Sequence, residues 1–417
     1  MSSLVHLPSR REALIGSGAL FAWAYAPKLA RAEGRDPRVL VIVLRGALDG
    51  LAMVAPVGDP DWAALRGDKA LLVDGKTPGL PLDSFFALNP TMPNLHRLYQ
   101  AQQATIVHAT ATPYRERSHF DGQDILESGL GRVGARDSGW LNRALSLMET
   151  DGRVNPRGSR GRAFAVGPVT PLVVRGSAPI MSWVPQTLLP ADEDTQRRLL
   201  ELYRHTDPKL AQALEGRRQV VALAPSGTLD TAPGGDAPAL LGMARVRKYF
   251  ADAGGAAANY LAQPDGPRVG ALGLVGWDTH IDEGAVGGAL AALLGALDES
   301  IAAIEKGMGD AWSETVVAVV TEFGRTARIN GTDGTDHGTA TVAVLVGGAL
   351  KGGRIIADWP GLKRADLHEG RDLKPTTDLR AIFKGVLRDH LRLDERVLAS
   401  KVFPGSADVQ PMAGLLA

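Results

Sequence analysis

Residues 38–44 (RVLVIVL) form an unbroken, largely β-branched apolar run, the pattern of a strand covered on both faces of a parallel sheet. Polar residues take over at once in RGALDG (45–50). Residues 89–103 carry apolar side chains at helical spacing (Met92, Leu95, Leu98) and lead into a second strand pattern, ATIVHA (104–109). Further buried-strand patterns occupy 163–166, 269–274, 316–321 and 341–346, and an Ala/Leu-rich stretch over about 284–306 predicts a crossover helix. Strands alternating with helices predict an α/β fold, a doubly wound sandwich around a mostly parallel central sheet. In such sheets ligands bind beyond the carboxyl ends of the strands, where the connecting loops converge.

Two stretches depart from this alternation. Residues 192–216 are charged and helical, and 224–238 are rich in Pro and Gly, so 150–240 is expected to be a cap inserted into a single α/β domain spanning 36–417. At the N-terminus Arg10 and Arg11 precede an apolar run over 13–26, and Ala30-Arg31-Ala32 offers a small-residue cleavage site. That arrangement reads as a twin-arginine signal peptide over 1–32, with the twin-arginine export machinery as partner and a periplasmic or secreted product. No other stretch approaches eighteen consecutive apolar residues, so no membrane span is expected in the exported chain.

Composition narrows the chemistry. Hydrophobic residues make up 45% and charged residues 22% of the chain, which argues against disorder over most of its length. The 46 basic and 46 acidic side chains cancel, and removing 1–32 takes away four basic and one acidic residue, leaving the exported chain mildly acidic. With aromatics at only 5% and no basic run interleaved with them, nucleic-acid binding is not expected. There is no cysteine, which excludes disulfides, thiolate zinc sites, Fe–S clusters and a cysteine nucleophile. Any metal must sit on His, Asp, Glu or neutral oxygens.

Four segments share one design, an apolar strand followed by a loop dense in Asp, His, Arg and Gly: 44–50, 108–124, 273–282 and 319–338. Four of the nine histidines (His108, His119, His280, His337) fall in them. Each loop also has a plain structural reading. Asp49-Gly50 is a good turn, Asp278-Thr279-His280 a good helix cap, and 330–338 a glycine-rich loop. In an α/β fold all four open onto one edge, so Asp49, Asp278, His280, Asp336 and His337 are expected to converge in one cleft. Asp and imidazole together suit Zn, Mn or Fe, or Ca or Mg where oxygens dominate.

The order RGALDG, RSHFDGQD, WDTH, TEFGRT and GTDHG resembles a large family of twin-arginine-exported bacterial proteins known as a domain of unknown function, which is similar to the alkaline phosphatase/sulfatase superfamily. The resemblance runs from about residue 38 to 391 and implies an alkaline-phosphatase-like fold. It implies a divalent metal, first of all zinc, with Mn, Ca or Mg as alternatives, on Asp49, Asp278, His280, Asp336 and His337, and a nucleophile at Ser118. Asp282 is an alternative partner for Asp278, and His368 and His390 are the late histidines available to complete a second site. His119 is then a ligand or proton donor, and Arg45, Arg115, Arg117 and Arg325 are the cations that would meet an anion. Glu322 either orients Arg325 or is itself a ligand, with a buried salt bridge as its plain reading. The function implied is an exported metal-dependent hydrolase acting on a small anionic ester, phosphate or sulfate, with Ser118, His119 and Arg325 as catalytic residues. The alternatives are a non-catalytic secreted binding or assembly protein on the same fold, or another metalloenzyme using the same cleft.

Overall fold

The computed structural model describes residues 35–150 apart from 75, 135 and 136, residues 162–183 apart from 168, a few residues between 200 and 215, and residues 243–417. The expected signal peptide, 1–32, and most of the expected cap, 150–240, lie outside the described residues. All the elements named below belong to one unit, Pro37–Ala417.

The strands are β1 (Arg38–Arg45), the short β2 (Val54–Ala55), β3 (Leu80–Pro81) and β4 (Ala87–Leu88), then β5 (Ala104–Ala111), β6 (Ala163–Val166) and β7 (Ile180–Trp183). They continue with β8 (Val269–Val275), β9 (Thr315–Thr321), β10 (Thr341–Val346), β11 (Arg354–Ile356) and β12 (Thr377–Asp378). Nine of them form the central sheet in the order β11-β5-β10-β9-β1-β8-β6-β7, with β12 also pairing with β5. Strand β1 runs parallel to both neighbours, β8 and β9, and β6 and β7 continue in that direction. Among the described strands of this sheet only β10 is reversed, pairing antiparallel with β9 and β5. The described part of the expected cap therefore contributes two strands, β6 and β7, to the sheet edge.

Period-two alternation explains why β1 is buried throughout. Leu40, Ile42 and Leu44 enter one apolar layer while Val39, Val41 and Val43 enter the other. The first layer is completed by α3 (Pro93–Gln100), α6 (Met243–Leu261) and α7 (Ala289–Met308), the second by α5 (Trp140–Thr150) and α8 (Leu379–Asp389). Helices on both faces make the fold α/β and doubly wound. Burying these six side chains contributes on the order of 10 kcal/mol before chain entropy is subtracted. No helix among the described residues is long and apolar enough to cross a membrane.

The two helix starts differ from the periodicity for local reasons. Helix α3 begins at Pro93, whose missing N–H and fixed φ suit the first helical position, rather than at 89. Helix α7 begins at Ala289 rather than 284 because Gly284 adopts φ +57° and Gly288 takes the cap position.

Because β10 is reversed, the loop 322–340 leaves the carboxyl end of β9 and re-enters the sheet at the same edge. The loops after β1, β5 and β8 open there too, so four polar segments from across the sequence share one rim.

Candidate metal centre

Short-range backbone contacts draw the four loops together. Gly46, at φ +119°, lies so close to the Trp277–Asp278 backbone that a Cβ there would stand 2.6 Å from the Asp278 amide nitrogen. Gly334 and Gly338 are needed for the same reason, since a Cβ would meet the His280 carbonyl at 2.2 Å and the Arg325 backbone at 2.4 Å. Single β-bridges, Ile281 with Asp333 and Arg325 with His337, lock these segments in register. The left-handed residue in this loop is Asp333, at φ +58°, and not one of its glycines.

Four side chains meet where the loops touch. His119 opens helix α4 (His119–Ser128), and its Nε2 lies 2.9 Å from His337 Nε2. On the other side His337 Nε2 is 3.0 Å from His280 Nε2. Asp278 completes the group, with Oδ1 3.1 Å from His337 Nε2 and 3.0 Å from His280 Nε2, and Oδ2 3.5 Å from His119 Nε2. The ligand-type atoms of His119, Asp278 and His337 all lie within 4.8 Å of one another.

The second nitrogen of each ring assigns its tautomer. His119 Nδ1 is 2.9 Å from Glu322 Oε1, and His337 Nδ1 is 3.0 Å from the Arg117 carbonyl. Both partners are acceptors, so Nδ1 carries a hydrogen and Nε2 is the nitrogen turned to the cluster, with a lone pair there whenever the ring is neutral. His280 Nδ1 stands 3.6 Å from Asp336 Oδ1, which favours the same tautomer. Three imidazole lone pairs and a carboxylate aimed at one point repel each other unless a cation or protons occupy it. Ligands around tetrahedral zinc, at bond lengths of ~2.0–2.2 Å, would lie about 3.3 Å apart, so the donor set suits such an ion. Carboxylate or carbonyl partners on the outer ring nitrogens are what metal-bound histidines commonly have.

Charges around the cluster agree with that geometry. Burial disfavours a protonated His119, but hydrogen bonds and charge from Asp278 and Glu322 outweigh it and hold the ring up at about 9. Burial also opposes ionisation of Asp278, yet His119, His337 and Arg325 keep its carboxyl far below the usual range. For Glu322 burial is again outweighed, by His119 first and then by Gln123 and the Gly46 amide among others. Glu322 is fully buried and accepts from Gly46 N at 2.9 Å, Gln123 Nε2 at 3.1 Å and Thr321 Oγ1 at 2.9 Å. It therefore braces His119 and makes no hydrogen bond to Arg325.

The remaining residues singled out from the sequence lie around the cluster or apart from it. Arg325 is buried behind Asp278, donating from Nη1 at 2.7 Å, while its Nη2 has no hydrogen-bond partner among the described residues. Asp336 stands on the outer side, held by Asn330 Nδ2 at 3.1 Å. Ser118 occupies the N-cap position of α4, yet its side chain makes no capping bond. Asp49 lies outside the cluster. It caps α1 (Gly50–Met53) through the Leu51 and Ala52 amides, and both its oxygens are gripped by Arg66, from the short α2 (Trp62–Arg66). Asp282 joins the neighbouring loop through its amide to the Thr332 carbonyl, and His368 pairs by backbone with Asp372. His390 is buried near the opposite end of the sheet, 3.2 Å from the carbonyl of Arg38, the first residue of β1. His108 is buried against the Val54 carbonyl, and burial pushes its pKa down to about 4.

The other three arginines expected at an anion are engaged internally. Arg45 pairs with Glu127 at 2.6 Å, Arg115 donates to the Thr112 and Tyr114 carbonyls, and Arg117 pairs with Asp372 and Glu369. Arg117 sits at φ +60°, a conformation that costs a non-glycine residue about 1–3 kcal/mol and that accompanies the placement of its carbonyl on His337.

Residues 36–402 match a family model described as a protein of unknown function, DUF1501. No curated protein matches the chain. Among solved structures, a sulfatase from Pseudoalteromonas sp., PsFucS1, aligns at 13% identity and TM-score 0.41 over 98% of this chain and 78% of that one. A protein in the alkaline phosphatase superfamily from Vibrio parahaemolyticus aligns at 10% and 0.40, over 91% and 71%. The phosphonate monoester hydrolase of Agrobacterium radiobacter aligns at 15% and 0.32, over 86% and 74%.

Proposed function

The chain belongs to the DUF1501 family, and for it we propose a metal-dependent hydrolase of phosphate or sulfate esters. The observation that carries the proposal is the convergence of His119, His280 and His337 Nε2 with the Asp278 carboxylate. A donor set of three imidazoles and one carboxylate suits zinc, with manganese or iron next, and suits calcium or magnesium poorly because those ions take oxygen ligands. Such an ion, when bound, supplies Lewis acidity, drawing charge from an ester oxygen and lowering the pKa of a nearby hydroxyl.

The chain's own residues have separable tasks in this reading. Arg325 keeps Asp278 ionised and fixes its rotation through the 2.7 Å bond. Glu322 and the Arg117 carbonyl hold His119 and His337 in the tautomer that leaves Nε2 free. Ser118 immediately precedes His119, and its hydroxyl makes no hydrogen bond among the described residues, so it is the candidate nucleophile. Ser118 leads into the positive end of the α4 dipole, which favours an anion near it. The second reading is a metal-binding protein without turnover, favoured by the engagement of Arg45, Arg115 and Arg117 with partners inside the chain. Export by the twin-arginine route through 1–32, to the periplasm or beyond, belongs to the proposal as well; export that survives Arg10→Lys with Arg11→Lys would remove it.

The test is elemental analysis of the purified protein, followed by assay on nitrophenyl phosphate, phosphonate and sulfate esters. One zinc per chain with turnover that Ser118→Ala abolishes while zinc remains supports the hydrolase. One zinc per chain and no turnover on any ester supports the binding protein. Absence of any stoichiometric metal overturns both.

A further inference from the structure

Beside the histidine cluster lies a cavity of about 500 Å³, built from residues just before and within α2, the loop 326–336 and the segment 362–371. The two sites share a wall. Asp336 lines the cavity while the next residue, His337, turns its ring into the cluster. Arg371 lines the cavity as well and donates from Nη2 to the His337 carbonyl at 2.6 Å.

The cavity is lined by more cations than anions. Three arginines, Arg328, Arg364 and Arg371, face two aspartates, Asp61 and Asp336. Most other arginines on this rim are tied to a carboxylate or a carbonyl, as Arg45, Arg66, Arg115, Arg117 and Arg325 are. The guanidinium groups of Arg328 and Arg364 are exposed and make no hydrogen bond or ion pair with any described residue. Asp336 forms no ion pair with either of them; its Oδ1 accepts from Asn330 and lies toward His280. Two guanidinium groups with no partner among the described residues, in a cavity also lined by the buried Leu362, are the chemistry that recognises a planar or tetrahedral anion.

We infer that this cavity is a second anion subsite, so that the substrate is an ester carrying another negatively charged group (phosphate, sulfate or carboxylate) some atoms away from the scissile one. The inference rests on the hydrolase reading for the first anion and adds the second. Arg328 and Arg364 bind the distal anion, and Arg371 links that event to the cluster through the His337 backbone.

Titration calorimetry on the zinc-loaded full chain tests this with alkane-1,n-bisphosphonates of two to six carbons against alkylphosphonates of matching length. At one or more lengths the bisphosphonate should bind at least tenfold tighter than its monophosphonate. That ratio should fall to near one in the Arg328→Ala, Arg364→Ala double variant and recover in large part in the double lysine variant. Monophosphonates that bind with no bisphosphonate advantage at any length, or an advantage that survives the double alanine variant, overturn the second subsite and leave the first reading standing. Failure of every monophosphonate to bind the zinc-loaded protein removes the first anion site, and the two-anion substrate with it.

Discussion

Asp49 and Asp278 each lie just beyond the carboxyl end of a central parallel strand, in loops of similar composition, yet they have opposite environments. Asp49 is 1% exposed, and its oxygens accept two amides of α1 and both terminal nitrogens of Arg66. Arg66 is itself buried, spans Asp49 and the Thr326 and Ala327 carbonyls, and lies over the Trp62 ring. Asp278 has a side chain 43% exposed, with one arginine nitrogen on Oδ1 and three imidazoles around it. A carboxylate whose lone pairs are filled by a fork and a helix start holds loops together. One with lone pairs left toward imidazoles can hold an ion. The residue type is the same, and the supply of donors decides the role.

Removing the donors should separate these roles. The largest effect is expected for Arg66→Ala, which leaves the Asp49 carboxylate buried and unpaired at a cost of about 3–5 kcal/mol, read as a loss of unfolding free energy in denaturant. Zinc stoichiometry of the fraction that remains folded should be unchanged; a loss of zinc there would join Asp49 to the metal centre and erase the contrast. His337→Ala comes next. It removes the ring at the middle of the cluster and should weaken zinc binding on the order of a hundredfold or more with little change in the unfolding free energy of the metal-free protein, because the loop lies at the sheet rim. Glu322→Gln should weaken zinc about 10–100-fold by loosening His119 while leaving all direct donors in place, and competition against a chromogenic chelator would read both variants.

The smallest effect sharpens the contrast by pH. Metal-free His119 keeps its proton up to about 9, so zinc must displace that proton, and its apparent dissociation constant should rise about tenfold for each pH unit below 9. The sign for stability follows from the raised pKa. Protonated His119 stabilises the metal-free fold fully below about pH 6.5, and the contribution fades as pH rises through about 9. Zinc-loaded protein should lack that fade. Identical pH profiles for the two forms would argue against His119 as a ligand.

The sequence by itself determined where the strands lie and which loops carry the chemistry. The apolar runs at 38–44, 104–109, 163–166, 269–274, 316–321 and 341–346 all became strands of the central sheet, because only burial on both faces accommodates them. His119, Asp278, His280 and His337 were visible as polar residues at strand ends, and they are brought together. Only the tertiary structure decided which donors share a centre and which are filled. Arg66 lies 17 residues after Asp49 in a stretch with no motif, and it reaches that carboxylate through the packing of α2. Glu322 was legible as a polar residue after β9, but its role depends on the β1–β9 register, in which Leu44 stands opposite Thr321, so that Gly46 and His119 both come within reach of its carboxylate. Local pattern sets the elements because each is stabilised largely by its own burial. Partner choice among charged side chains depends on positions from 17 to 276 residues apart that meet only when the loops and the sheet's register are complete.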